Sequence, residues 1–523
     1  MMKKLSLIAI PAACALAASM MSGCGPSTPA DKSAKTQLNV AAELFPESLE
    51  PSKDWEAWYL IRFGAGETLV TYDSDGNYIP GLAESWDVAP DGLTWTFTLK
   101  KNVTFSNGKQ MTASDVVKSI ERLFTMEDPA NGGKGNPQSH FTYSSLKADD
   151  ESGTVTIVTT DPTPDMPGCM AYPWTAIIDV EGSETRDIAT QGPIMTGPYA
   201  FESFTQDSDA QMVRNEHYWN GDVPFEKVNI RHVKDSATRA LSLQDGSVDM
   251  ALNISSDDRQ ALSQDGKFAA YVEGGSRTGY THINFAGPLG NDALRKAVVM
   301  AIDGKTIADV TTSGAYLYGQ SVISSSLNWG YDDLKFSFSY DPQAATDLLD
   351  KAGITDSDGD GIRELNGKNI DLDYKVTANR SMDTIAQAQA AQLSKIGIKA
   401  TVTVTQNQSE QLNNHQFDLI SSNEVATQTG DPSKFLKHWY SGAVENYSNY
   451  SNPRYNEVYD QMSKEFDPQK RKELMTQLQQ ILADDAVSVV YGYFTYNIVA
   501  DKDLKGVEVN PNDFYWVTNK IRY

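Results

Sequence analysis

Residues 79–124, IPGLAESWDVAPDGLTWTFTLKKNVTFSNGKQMTASDVVKSIERLF, contain a strand pattern followed by a helix pattern. Residues 93–105 alternate apolar and polar side chains and are rich in β-branched and aromatic types, which predicts a strand or a hairpin. Asp91-Gly92, just before them, is a hairpin turn signal. Thr112 is a good N-cap for a helix. The apolar positions of that helix are Val116, Ile120, Leu123 and Phe124. The segment therefore predicts a mixed α/β unit.

The same mixture continues toward the C-terminus. The sequence predicts five helices: one that begins near Asp292, and four that cover residues 341–353, 381–397, 452–466 and 467–486. Residues 398–405, directly after the third of these helices, are predicted to form a strand. Helix followed by strand, repeated along the chain, is typical of α/β lobes.

Composition and charge narrow the classes of protein that this chain can belong to. The 523 residues are 40% hydrophobic and 22% charged, which is typical of globular proteins. Their length favours two or three domains. The formal net charge is −25, with a pI of about 4.6. Such a surface repels phosphate backbones, so we expect no nucleic-acid partner.

The N-terminus has the pattern of a secretion signal. Lys3 and Lys4 precede an apolar segment, residues 5–21, that is too short and too interrupted to be a good membrane anchor. The following Ser22-Gly23-Cys24 resembles the lipobox of bacterial lipoproteins, in which the signal is removed before the cysteine and the cysteine is acylated. The alternative is an ordinary signal peptide with a cysteine there by chance.

This pattern predicts a signal peptide at residues 1–23 and a lipidated tether at 24–37, anchored to the membrane through Cys24. Cys14 would leave with the signal, and Cys169 would then have no partner for an internal disulfide. The predicted location is extracytoplasmic, on a membrane-anchored lipoprotein facing the periplasm or the outer cell surface.

Short motifs from residue 82 onward occur in the order seen in a known family. They include Leu82-Ala83-Glu84-Ser85-Trp86, Thr94-Trp95-Thr96-Phe97, Ala113-Ser114-Asp115-Val116, Thr196-Gly197-Pro198-Tyr199, Ala301-Ile302-Asp303 and Gly430-Asp431-Pro432. With them the chain resembles the large solute-binding proteins of ABC importers, a family that includes oligopeptide-, dipeptide- and nickel-binding proteins. The resemblance covers nearly all of the chain after Cys24.

The resemblance implies an α/β, two-lobed periplasmic-binding-protein type II fold with an additional third domain. The expected parts are lobe I at 38–72, 194–290 and 489–523, the third domain at 73–193, and lobe II at 291–488. A hinge would close the lobes on a solute and deliver it to a membrane permease that this chain does not contain. The resemblance implies a monomer that needs no cofactor.

The resemblance also indicates where a ligand would bind. Peptide binders of the family hold the peptide amine with an acidic residue just before Gly-Asp-Pro, and here that position is Gln428. Glu424 or Asp431 would have to supply the charge instead. The alternative for Asp431 is a helix N-cap ahead of Pro432.

Aromatic residues near the start of the folded chain are a second group of candidates. Trp58 and Tyr59 would cover a ligand, Arg62 would clamp a carboxylate, and Trp174 would join them in the cleft. Three aromatics and an arginine at helical spacing are equally typical of the packed interior of one lobe.

Metal-binding patterns are weak in this chain. Nickel-type relatives surround a chelated metal with aromatic residues and a histidine in the 421–436 loop, which here lacks an aromatic residue before Asp431. A metal held by its own organic chelator stays an open alternative. Asp356, Asp358, Asp360 and Glu364 resemble the first half of a calcium loop, but Gly367 stands where the bidentate glutamate belongs. A structural calcium ion or a plain acidic turn would explain them.

Motifs for catalysis are missing from the sequence, including the nucleophile elbow, the Walker loop and the His-Glu-x-x-His motif. The sequence therefore predicts a binding protein for a peptide or peptide-like solute. The alternatives are a metal–chelator binding protein of the same family and, from another class, a surface-anchored hydrolase.

Overall fold

The computed structural model describes residues 35–53, 55–73, 76–126, 140–264 and 266–523. The predicted signal peptide and Cys24 lie outside the described residues. The strands are β1 Gln37–Ala42, β2 Val70–Tyr72, β3 Tyr78–Pro80, β4 Ala83–Val88, β5 Thr94–Leu99, β6 Tyr143–Asp149, β7 Thr154–Thr159, β8 Tyr199–Thr205, β9 Asp209–Arg214, β10 Lys227–His232, β11 Met250–Leu252, β12 Phe268–Ile283, β13 Tyr316–Leu317, β14 Glu364–Leu365, β15 Lys368–Asn369, β16 Asp371–Val376, β17 Lys399–Val404, β18 Leu419–Val425 and β19 Ser488–Asp501.

The helices are short to medium in length. They are α1 Glu56–Arg62, α2 Ala113–Thr125, α3 Met166–Cys169, α4 Val180–Ser183, α5 Ile188–Gln191, α6 Ser236–Gln244, α7 Ser256–Gln264, α8 Asp292–Ala301, α9 Gly304–Thr306, α10 Pro342–Lys351, α11 Met382–Ser394, α12 Gln408–Asn413, α13 Ser433–Leu436, α14 Pro453–Met462 and α15 Pro468–Asp484. Within the described ranges, no helix combines the length and the apolar character needed to cross a bilayer.

One large mixed sheet organises the described chain. Its strand order is β17-β16-β18-β12-β19-β11-β1-β10-β9-β8, and β13 pairs with β19 outside this path. β1 runs parallel to β10 and β11, and β16 runs parallel to β17 and β18. The antiparallel strands β12 and β19 lie between these two groups and join them.

The long strand β12 changes partners along its length. Its first part, Phe268–Gly274, pairs with β19 alone, and Arg277–Ile283 also pairs with β18. One register shift with β19 lies between the two parts, after Gly274, and a second lies within the second part, after Gly279. A Cβ atom added at Gly275 would lie 2.3 Å from the Tyr496 ring, so this close approach requires glycine. The change of partner lies ahead of the predicted lobe boundary at residue 290, and the domain boundaries stay a prediction.

A smaller antiparallel sheet, β4-β5-β7-β6, comes from the segment quoted at the start. Asp91 Oδ1 accepts the N–H groups of Leu93 and Thr94 and so closes the predicted β4–β5 hairpin turn. Thr112 caps α2 as predicted, because its hydroxyl accepts from Asp115 N while the Asp115 carboxylate accepts from Thr112 N. The predicted strand is shorter than expected, since β5 ends at Leu99.

Two main apolar cores lie in the described chain. One is continuous from β1 through α1 to β5 and β7, and it includes Val40, Leu60 and Phe97. The other surrounds β16 and α11, with Leu372 and Ile385 at its centre. The predicted third domain therefore shares its core with the β1 side of the large sheet.

Candidate functional site

A cavity of about 470 Å³ lies where β18 ends beside β12. This volume is within the range of small-molecule sites, roughly 300–1,000 Å³. We call this space the Glu424 cavity. Its polar and charged lining includes Arg277, Glu424, Gln428, Asp431, Lys437 and His438.

Three of the residues predicted from the sequence meet in this cavity. Glu424 lies near the end of the paired region of β18 and β12, where its register partner is Thr278. Gln428 and Asp431 lie on the loop that follows β18, and the first N–H of that loop, on Ala426, donates to the carbonyl of Ser276. The loop is thereby held to β12 before it enters the cavity.

Glu424 is a partly exposed carboxylate of the cavity lining. Its side chain is 31% exposed, and the hydroxyl of Tyr280 donates to its Oε1 at 3.1 Å. His282 Nε2 lies 3.7 Å from Oε1, and His438 Nδ1 lies 3.6 Å from Oε2. Burial works to raise the pKa of this carboxyl, but the two imidazoles lower it to about 2. Glu424 is therefore an ionised acceptor at neutral pH.

The imidazoles beside Glu424 have no hydrogen-bond partner at these nitrogens among the described residues. His282 is 1% exposed in its side chain and His438 is 14% exposed. Burial lowers the pKa of His438 below its ordinary value of 6.5, so this ring is neutral at neutral pH. Neutral imidazole nitrogens beside a carboxylate can accept a proton, donate to a solute or bind a transition metal.

Asp431 differs from Glu424 because its charge is already paired. Arg471 Nε donates to its Oδ2 at 2.7 Å, and both side chains are nearly inaccessible to solvent. Its Oδ1 accepts the N–H of Ser433, in the first turn of α13. The ion pair with Arg471 favours a structural role over a free anchor for a ligand amine. Pro432, not Asp431, is the N-cap residue of α13, so the cap and the ligand-binding role of Asp431 both stay predictions.

Arg62 is also already paired, and it is not among the residues that line the Glu424 cavity. Its Nε donates to the carbonyl of Asp513 at 2.8 Å, and an Nη atom donates to the Asp513 carboxylate at 2.6 Å. The guanidinium carbon lies 4.6 Å from the centroid of the Trp516 ring. Its side chain is 3% exposed. These contacts favour the alternative of a packed interior, because Asp513 already occupies the guanidinium, and the ligand-clamp role of Arg62 stays a prediction.

The predicted aromatic residues Trp58, Tyr59 and Trp174 are not among the residues that line the cavity. Trp58, Tyr59 and Trp174 are all less than 9% exposed. Trp58 packs edge-on against Trp55, which does line the cavity and is 44% exposed. The exposed ring is that of Trp55, just before the first residue of α1, and the ligand-covering role of Trp58, Tyr59 and Trp174 stays a prediction.

Sequence reasoning missed the cationic side of the cavity. Arg277 and Lys437 line it, and Arg277 donates to the carbonyl of Asn423 at 2.7 Å. A signal was present, because Gly274-Gly275 inside a strand pattern indicates a bulge or a close backbone approach next to Arg277. The cavity thus offers an anionic acceptor and cationic donors together.

The acidic loop lies within predicted lobe II, apart from the Glu424 cavity. Oxygen atoms of Asp356, Asp358 and Glu364 lie within 4.8 Å of one another, while Asp360 accepts from Asn369 instead. Glu364 already accepts from the backbone and hydroxyl of Ser357. Calcium binding at this loop stays a prediction.

Comparisons with known proteins define the class to which this fold and cavity belong. The family profile described as "Bacterial extracellular solute-binding proteins, family 5 Middle" matches residues 77–447. The chain therefore belongs to the family 5 extracellular solute-binding proteins of bacteria. The predicted fold is confirmed as the α/β, type II periplasmic-binding-protein fold with a third domain. Proteins of this family are transport binding proteins, not enzymes.

Individual relatives differ in the solute that their names give. The chain is 25% identical to a probable D,D-dipeptide-binding periplasmic protein of Escherichia coli K12, over 91% of this chain and 92% of the relative. It is 26% identical to the dipeptide-binding protein of the same organism, over 97% and 95%. A crystal structure of a nickel ABC transporter protein from Bacillus halodurans is 24% identical, with a TM-score of 0.81 over 94% of this chain and 100% of that one.

Proposed function

We propose that this protein is the extracytoplasmic substrate-binding lipoprotein of an ABC importer and captures a peptide or peptide-like solute in the Glu424 cavity. One observation carries the choice of solute: the cavity combines the ionised Glu424 with the cationic Arg277 and Lys437. A carboxylate suits a ligand amine, and a guanidinium suits a ligand carboxylate. Dipeptide-binding relatives support the same class of solute.

Binding by hinge closure would use the crossing strands. β12 and β19 connect the two groups of sheet strands, and the register shifts near Gly274 and Gly279 lie next to the cavity. Bulged positions can absorb backbone rotation when lobes move. A permease in the membrane would then receive the solute from the closed protein.

A metal–chelator complex is the second candidate cargo, and a separate observation favours it. The nitrogens of His282 and His438 beside Glu424 have no hydrogen-bond partner among the described residues. Imidazole is a preferred ligand of nickel, copper and zinc. The nickel-transporter protein with the same fold is compatible with this cargo.

Native mass spectrometry of the gently purified protein tests the proposed function. We expect an added organic mass of dipeptide or tripeptide size that disappears on denaturation. An added mass that contains a metal together with an organic molecule would select the second candidate. A protein that carries no added mass, and that binds neither alanyl-phenylalanine nor nickel bis-histidine in calorimetry, would contradict both.

The proposed lipid anchor gives a separate prediction. We expect Cys24→Ala to move the protein from the membrane fraction to the soluble extracytoplasmic fraction, since two acyl signals are needed for stable anchoring. Cell fractionation with mass spectrometry of the N-terminal peptide measures this. Cys14→Ala is the matched control, because it lies in the predicted leader and leaves lipidation intact. Membrane retention of unlipidated Cys24→Ala would refute the anchor.

A further inference from the structure

The loop that carries Gln428 into the Glu424 cavity forms hydrogen bonds with residues of the predicted third domain. Tyr78 Oη donates to the carbonyl of Thr429 at 3.0 Å and to Asp165 Oδ1 at 2.7 Å. The hydroxyl of Thr429 donates to Asp165 Oδ2. We call Tyr78, Asp165 and Thr429 the Asp165 clasp. Tyr78 and Asp165 belong to the predicted third domain, while Thr429 belongs to predicted lobe II.

Two other contacts join the predicted third domain to predicted lobe II, but neither involves the backbone of the cavity loop. Asn328 donates to Asn77 at 3.0 Å, and Lys434 lies 2.7 Å from the His140 ring nitrogen. They lie at the surface or on flexible side chains, whereas the clasp contacts the backbone of the cavity loop itself. The clasp therefore couples the third domain directly to the residues that would touch a solute.

The two carboxylates near the clasp, Asp165 and Asp431, have different kinds of partner. Asp165 lies close to Asp431, which is paired with Arg471. Arg471 Nε donates to Asp431, and the described contacts give Asp165 hydroxyl partners instead of an ion pair. Hydroxyl partners satisfy a protonated carboxyl as well as an ionised one, because a protonated carboxyl can both donate and accept.

We propose that Asp165 is a positioning residue that closes the cleft: it holds the 427–431 loop against the predicted third domain, with or without a solute inside. This gives the third domain a part in retaining the solute. The inference rests on the proposed function for one point, the purpose that closure serves. The contacts of the clasp can be measured without a solute.

Closure should then depend on pH. With the clasp formed, burial and the Asp431 carboxylate raise the pKa of Asp165 well above its ordinary value of 3.8. On opening, Asp165 meets water and its pKa returns toward that ordinary value. The closed state thus binds the proton more tightly, so closure is fully supported below the ordinary value and weakens as pH rises through the raised one. The groups that face Asp165 are Tyr72, Tyr78, Cys169, Asp431, Lys434 and Arg471.

Paired variants of Asp165 separate this role from simple packing. In Asp165→Asn the amide donates to Thr429 and its oxygen accepts from Tyr78, so the variant imitates the protonated carboxyl at every pH. Asp165→Ala removes both bonds. Asp161→Ala is the matched control, since this nearby acid is exposed and, among the described residues, accepts hydrogen bonds from Thr160 and Thr163 alone.

Small-angle scattering from about pH 4.5 to about pH 8.5, on solute-free protein, measures closure. We expect the radius of gyration of the unchanged protein to rise with pH, that of Asp165→Asn to stay small throughout, and that of Asp165→Ala to stay large. Hydrogen exchange at 427–431 should be about tenfold faster in Asp165→Ala, as the loss of one net hydrogen bond implies.

Three outcomes would overturn the inference: Asp165→Asn as open as Asp165→Ala, a radius of the unchanged protein that ignores pH, or Asp165→Ala indistinguishable from Asp161→Ala. Circular dichroism checks that each variant is folded, and if Asp165→Ala is not, Tyr78→Phe replaces it as the clasp-breaking variant. Failure here leaves the result of native mass spectrometry unaffected, so the clasp and the proposed function can fail separately.

Discussion

We expect Glu424→Gln to bind alanyl-phenylalanine roughly 10- to 100-fold more weakly than the unchanged protein, since a hydrogen bond to a charged group contributes about 1.5–3 kcal/mol. The variant keeps the shape of the side chain and its contact with Tyr280, but it removes the negative charge that faces the cavity. Because the pKa of Glu424 is about 2, the lost charge is fully present in the unchanged protein at neutral pH. Isothermal titration calorimetry measures the change.

Two controls make that result specific to a ligand amine. N-acetylated alanyl-phenylalanine lacks the ammonium group, so both proteins should bind it equally weakly. Glu445→Gln removes a second acid from the cavity lining and should have a smaller effect, because it leaves Glu424 and its contact with Tyr280 unchanged. Equal affinity of Glu424→Gln and the unchanged protein for the free-amine peptide would exclude Glu424 as the amine anchor.

Local chemistry explains why several elements were predictable from the sequence. The turn at Asp91 and the cap at Thr112 depend on side chains that bond to backbone groups two or three residues away. Asp341 caps α10 and Pro342 begins it for the same local reasons. Such signals need no knowledge of the rest of the fold, so helix starts and hairpin turns were read correctly.

The cavity depends on long-range pairing that a sequence does not display. Glu424 meets Tyr280 and His282 only because β18 pairs antiparallel with β12, across more than a hundred residues of chain. A shift of one residue in that register would turn Glu424 to the other face of the sheet. The resemblance located the loop around Gln428, but the imidazole and arginine neighbours became visible only with the register.

Burial favours one of the two alternatives that the sequence left open for the aromatic residues and Arg62. An aromatic cluster with an arginine has the same pattern whether it lines a cleft or fills a core, and the distant Asp513 decides between the two for Arg62. The sequence did not decide between the two roles of Arg62, because Arg62 and Asp513 are 451 positions apart.

Arg62→Ala should lower the free energy of unfolding by about 3–5 kcal/mol, since removing one partner of a buried ion pair leaves the other charge uncompensated. Asp513 would keep a carboxylate whose pKa burial already raises, and Trp516 would lose the guanidinium stacked on it. Urea unfolding followed by tryptophan fluorescence measures the loss, and the exposed Arg454→Ala should change it by less than about 0.5 kcal/mol. Arg62→Met with Asp513→Asn should recover at least half of the loss, because asparagine tolerates the φ of 57° at residue 513 and no lone charge remains. If that folded double variant binds alanyl-phenylalanine as the unchanged protein does, Arg62 is a packing residue. A folded double variant that no longer binds it would restore the clamp.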